Sequence, residues 1–128
     1  MRGKVAVLTV ALTLLLAGCR LFDQRMCTLN LVSGISVQVR DSVTGALAAS
    51  GAKLVARSSI YADSMSYPSG HPEMDARSLT GANEHAGVFT VTITKAGYRD
   101  WTRNDVRVTG DECHVNTTEL AALLQPLP

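Results

Sequence analysis

Apolar and polar residues alternate most regularly between Gly87 and Trp101, where Phe89, Val91 and Ile93 are separated by Thr90, Thr92 and Thr94. A period of two puts one set of side chains toward a core and the other toward solvent, which is the signature of a half-buried strand. Lys95-Ala96-Gly97 closes the segment with turn chemistry, and Tyr98 and Trp101 bring in two large rings as the chain returns. Ile35, Val37 and Val39, alternating with Ser36, Gln38 and Arg40, predict an earlier strand. Asp41-Ser42-Val43-Thr44-Gly45 then reads as a turn, with an Asx-type start and a glycine able to take positive φ.

Ala46 to Ser50 has helix propensity but is too short for a stable helix and reads as extended. Ala52 to Arg57 supplies another strand, with Leu54 or Val55 directed inward depending on register. Ser58 to Thr80 is the least patterned stretch: Tyr61 to Tyr67 predicts a weak edge strand and Tyr67 to Ala76 an exposed loop. Thr80 to Gly87 reads as a second turn region. Val106 and Val108 alternate around Arg107, and Thr109 to Glu112 turns. His114 to Leu124 closes the domain. Its Leu120-Ala121-Ala122-Leu123-Leu124 tail contains good helix formers, but Val115, Thr117 and Thr118 start it extended and Pro126 and Pro128 stop it, so a strand is favoured. Six to eight short strands with turns between them predict an all-β fold, an antiparallel Greek-key β-sandwich of immunoglobulin-like or transthyretin-like type.

The amino terminus changes the picture. Met1, Arg2 and Lys4 form a basic start, and Val5 to Leu16 is apolar apart from Thr9 and Thr13. About a dozen apolar residues are too few for the roughly 20 that span a bilayer, which favours a cleaved signal peptide over a retained membrane anchor. The ending Leu16-Ala17-Gly18-Cys19 resembles the lipobox of bacterial lipoproteins. That resemblance implies cleavage after residue 18 and lipidation, including palmitate, on Cys19. It divides the chain into a signal peptide (1–18), a tether (19–26) and a β-sandwich domain (27–128). It also implies a place in the bacterial cell envelope, and Arg20, standing where enterobacterial lipoproteins retained at the inner membrane carry aspartate, favours the outer membrane.

Composition then narrows the function. The 128-residue chain has a formal charge of +1, and loss of residues 1–18 leaves 110 residues, enough for one domain, with a charge of −1. Such a surface gives no long-range attraction for nucleic acid. With Cys19 assigned to lipid, Cys27 and Cys113 remain as a pair, which in an oxidising compartment fits one disulfide; the competing reading is two free buried thiols.

Val39-Arg40-Asp41 with Thr44-Gly45 and Gly51-Ala52, and Gly87-Val88-Phe89-Thr90-Val91-Thr92 with Gly97-Tyr98, resemble the carboxypeptidase regulatory-like domains, whose sandwich is transthyretin-like (prealbumin-like). The resemblance covers about Gly34 to Pro126. It implies an accessory module serving folding or interaction, here alone on a lipid tether. Ala46 stands where the family commonly has proline, and the stretch Ser58 to Thr80 is longer than the family's minimal form. With no peptidase domain present, no zinc ligands carry over.

Candidate chemistry is sparse. His71, Glu73 and Asp75, with Glu84-His85 and Glu112 to His114 elsewhere, are metal donor types, but they lack the spacings of a zinc site. No glycine-flanked serine elbow or phosphate-binding glycine loop occurs. The expectation is a protein without catalysis, metal or cofactor, acting as a structural or protein-interaction module. Tyr61, Tyr67 and Met74 are candidate contact residues in the irregular stretch, where Met65 also lies. Trp101 with Tyr98 offers an alternative, a stacking platform for a glycan or peptide, against the simpler role of closing the core edge.

Overall fold

A computed structural model describes residues 26–128, so Cys19 and the expected cleavage point lie outside the described residues. Seven strands and one short 3-10 turn follow in order: β1 (Ser33–Asp41), β2 (Ala52–Arg57), β3 (Ala62–Ser66), the turn Pro72–Met74, β4 (Leu79–Asn83), β5 (Gly87–Lys95), β6 (Trp101–Val108) and β7 (Thr118–Leu124). They form two sheets, β4-β1-β7 and β3-β2-β5-β6, packed as a β-sandwich. The closing segment is a strand, with Ala122 and Leu124 buried.

The alternation along β5 is realised directly. Phe89, Val91 and Ile93 are buried, while Thr90 is exposed and Thr92 hydrogen-bonds across the outer face to Thr102. Strand β2 pairs with β5 so that Leu54 lies opposite Ile93 and Ala56 opposite Val91, which settles the register with Leu54 inward. Ile35, Val37, Val39 and Leu79 answer from the other sheet. Burying a side chain the size of phenylalanine or isoleucine contributes about 1.5–3 kcal/mol each, so this interleaved layer is the main source of stability.

Two features depart from the expectations. Strand β7 runs parallel to β1, from Ile35 opposite Thr118 to Asp41 opposite Leu124, in an otherwise antiparallel sandwich. A strand, β4, stands where a turn was expected, pairing antiparallel with β1, and the turn is confined to the residues around Glu84 to Ala86. Its small residues are a packing requirement. A Cβ on Gly81 would come within 2.9 Å of Leu54 Cδ2, and one on the facing Gly34 within 2.7 Å of Val108 Cγ1 and 2.8 Å of the Ala82 carbonyl oxygen. The Tyr67 to Ala76 connection is the largely exposed loop expected, and it is tied down at several points. Tyr67 packs against the core and donates its hydroxyl to the Ser78 carbonyl, Gly51 N–H donates to the Pro68 carbonyl, Ser50 N–H donates to Asp75, and His71 N–H donates to the Ser50 hydroxyl.

Opposite Thr90 the β5–β6 ladder slips, and Asp105 adopts a φ of 56° in the left-handed region. A bulge at this point bends the edge strand β6 and interrupts the row of backbone groups that would otherwise template a further strand.

Candidate functional site

The residues singled out from sequence fall in two places on opposite edges of the four-stranded sheet. Tyr61 enters β3, on one edge. Its ring stacks on His85 with centroids 3.6 Å apart and meets Phe89 edge-on at 6.4 Å. Burial and then the nearby Asp63 carboxylate raise its hydroxyl pKa above the ordinary tyrosine value. Met65 lies on the same strand, with its sulfur accepting from the Thr80 amide and hydroxyl. Tyr61, Met65 and Tyr67 are half-buried against the core, and Met74 ends the 3-10 turn, also half-buried.

Trp101 begins β6, on the other edge, and is likewise half-buried against the core. With Arg99, Asp100, Thr102, Leu123 and Gln125 it lines a shallow cleft of about 230 Å³ between the β6 and β7 edges. Tyr98 is not part of that cleft. Its hydroxyl donates to Asp41 Oδ2 at 2.8 Å and the Lys95 ammonium lies 5.5 Å from its ring centroid. The structure therefore separates Tyr98 from Trp101 and does not form the two-ring platform.

His71 Nδ1 and Glu73 Oε1 are 2.9 Å apart, while Asp75 turns away to the Ser50 amide. The Glu73 carboxyl is held below its ordinary pKa, first by its own backbone N–H and then by His71. Among the described residues no group of three His, Cys, Asp or Glu side chains is placed to hold a metal ion.

A different constellation forms where the chain enters the sandwich. Cys27 and Cys113 are joined by a disulfide across a sequence separation of 86. Beside it, Glu84 Oε1 accepts from Val32 N–H at 2.7 Å and lies 2.8 Å from His114 Nδ1, and His114 Nε2 lies 2.9 Å from the Thr28 hydroxyl. Glu84 N–H returns a bond to the Val32 carbonyl. The Glu84 carboxyl is held below its ordinary pKa chiefly by the Val32 N–H, with His114 adding to the effect. Thr28, Leu29, Asn30 and Leu31 line a cleft of about 340 Å³ with Glu84, Cys113 and His114. Sequence reading anticipated the disulfide but not this cluster, whose members come from the entry segment and two distant connections. The available signal was the recurrence of a carboxylate and a histidine at turns on either side of β5 and β6.

No family model matches the chain, and no curated protein is detectably similar to it in sequence.

Proposed function

We propose that the protein is a lipid-anchored module of the bacterial cell envelope, a sandwich that carries a structural or protein-interaction role at the end of a tether starting at a lipidated Cys19. The observation that supports this reading is the double fastening of residues 27–32. A disulfide and the Glu84–His114–Thr28 chain fix the segment that follows the tether to both the β4–β5 and β6–β7 connections. Any pull transmitted from a membrane anchor would reach the sandwich through this joint. The resemblance to the carboxypeptidase regulatory-like domains fits the same role, because in that family the sandwich is an accessory and not a catalyst. A placement on the outer membrane belongs to this proposal and follows from Arg20.

The half-buried Trp101 beside Leu123 in the β6–β7 cleft supports a second reading, a small glycan or peptide subsite. Two measurements test and separate these readings. Cys19→Ala should abolish metabolic lipid labelling and block maturation, and persistence of the label would remove the anchor. Photocrosslinking in the envelope from positions 74 and 101 should give protein adducts at 74 if the module is an interaction domain. Saccharide or short-peptide adducts confined to 101 would favour the second reading.

A further inference from the structure

Among the described residues, five of the eight large apolar side chains that stand in solvent, Met26, Leu29, Leu31, Ile60 and Val88, sit at the end of the sandwich where the chain enters. Ile60 is 95% exposed at the tip of the β2–β3 connection, and that tip is closed by local hydrogen bonds. The Ser58 hydroxyl oxygen accepts from the Ile60 and Tyr61 amides, and Ser58 N–H donates to the Tyr61 carbonyl. The next residue, Tyr61, stacks on His85, which follows Glu84, the residue bonded to Val32. Leu29 and Leu31 line the cleft on the other side of Glu84. One continuous end of the molecule therefore presents Ile60, Leu29 and Leu31 together.

Cations accompany them. Arg57 lies opposite Thr90 and Arg107 opposite Val88, so both project from the outer face of the four-stranded sheet at this end, Arg57 on β2 near Ile60 and Arg107 on β6 at the other edge. Of the carboxylates at this end, Glu84 is engaged by Val32 and His114, Asp111 Oδ1 accepts from the Cys113 and His114 amides, and the half-buried Asp63 on β3 lies beside the Tyr61 hydroxyl. Glu112 is exposed on the β6–β7 connection, beside Glu84 and His114, and Asp105 is exposed at the β6 bulge. Apolar tips flanked by long basic side chains match a bilayer interface, where the apolar groups enter the headgroup region and the cations meet lipid phosphates. Geometry brings the two surfaces together. Eight residue steps separate Cys19 from Cys27, a reach of at most about 26–29 Å even when fully extended.

We propose that this end is an interfacial foot: Ile60, with Leu29 and Leu31, inserts among the headgroups of the membrane that holds the lipid anchor, while Arg57 and Arg107 engage lipid phosphates. The domain then rests on the bilayer in a fixed orientation. This rests on the lipidation of Cys19.

The test uses the mature lipoprotein purified from membranes and reconstituted in phosphatidylethanolamine and phosphatidylglycerol vesicles with brominated acyl chains, after mass analysis of its acyl groups. In a Trp101→Phe background, Ile60→Trp should give blue-shifted emission quenched by about half or more, and Val43→Trp, at the opposite end, should emit as in water without quenching. If Trp101→Phe does not fold, the same two substitutions with Trp101 retained report the additional quenched intensity over the parent. An acylated protein whose position-60 indole is unquenched, or quenched no more than that at position 43, overturns the foot and leaves the anchor standing. A protein without acyl groups overturns both. Crosslinks from position 60 to another protein in place of lipid quenching would make this end a protein interface and overturn the membrane assignment.

Discussion

The two ends of the sandwich are each organised around one carboxylate, and they solve the same problem differently. At the far end Asp41 closes its own turn: its Oδ1 accepts from the Val43 and Thr44 amides, Gly45 at a φ of 73° completes the reversal, and Oδ2 accepts the Tyr98 hydroxyl. At the tether end Glu84 caps nothing local and instead binds Val32 and His114, and a disulfide reinforces the join. The far end is fastened to the rest of the chain by backbone pairing, with Ser42 N–H donating to the Leu124 carbonyl, Arg99 N–H to the Gln125 carbonyl and Leu127 N–H to the Gly97 carbonyl. A local turn needs only its own residues in order, whereas a long-range joint has to overcome chain entropy and gains most from a covalent link.

The core between the ends should respond most strongly. Val91→Asp puts an unpaired charge where exposure is zero and should cost several kcal/mol, enough to unfold the domain, while Thr92→Asp on the outer face should cost about 0.5 kcal/mol or less in urea melts. Equal losses would mean that the two faces of β5 are not distinct and that the ends, not the core, hold the molecule.

Replacing Cys27 and Cys113 together by alanine should lower stability by at most about 4.6 kcal/mol, the value from chain entropy, and loosen residues 27–32 in hydrogen exchange while the Asp41 turn stays protected. Loss of protection at both ends alike would erase the contrast.

The smallest effect and the sharpest discrimination come from pH. Folding lowers both carboxyls, Asp41 from 3.8 chiefly through the Thr44 amide and then Tyr98, and Glu84 from 4.5 chiefly through the Val32 amide. The unfolded chain therefore takes up protons first, so their stabilisation is complete above these unfolded values and is lost as pH falls through the lower folded ones. Tyr98 is raised above 10, first by its bond to Asp41, so its contribution is full below pH 10 and is lost as pH rises through the folded value. Thermal melts across pH should show Asp41→Asn flattening both the acid and the alkaline limb and Glu84→Gln flattening the acid limb alone. An alkaline limb unchanged in Asp41→Asn would remove the Asp41–Tyr98 link.

What could be read from the sequence follows the same division between local and distant. Strands β1 and β5 were legible because apolar residues alternate with polar ones along them, β7 because Val115, Thr117 and Thr118 start it extended and prolines stop it, and the Asp41 turn because its chemistry lies within five residues. Strand β4 was hidden, since close packing against Leu54 and Val108 requires Gly81 and Gly34, and a Leu-Thr-Gly-Ala-Asn strand has the composition of a loop. Alternation says which face a residue takes but not which way its neighbour runs, so the parallel β1–β7 pair was not visible. How the Tyr67 to Ala76 loop is held was not visible because its partners, Ser50, Gly51 and Ser78, are outside it. Of the site, the cysteine pair was legible by count, while the Glu84–His114–Thr28 chain exists only after distant turns converge.

The parallel pairing also dictates an order of events in time. Strand β1 is central in its sheet, and one of its two neighbours is β7, the last strand of the chain. As the polypeptide emerges amino end first, β2, β3 and β5 can already assemble their own sheet, but β1 must wait with one edge open until Leu124 is available. Non-local pairing of this kind slows folding and leaves an interim aggregation hazard. A chain truncated before Thr118 should therefore collapse without finishing, and any factor that shields β1 during emergence would raise the yield of folded protein.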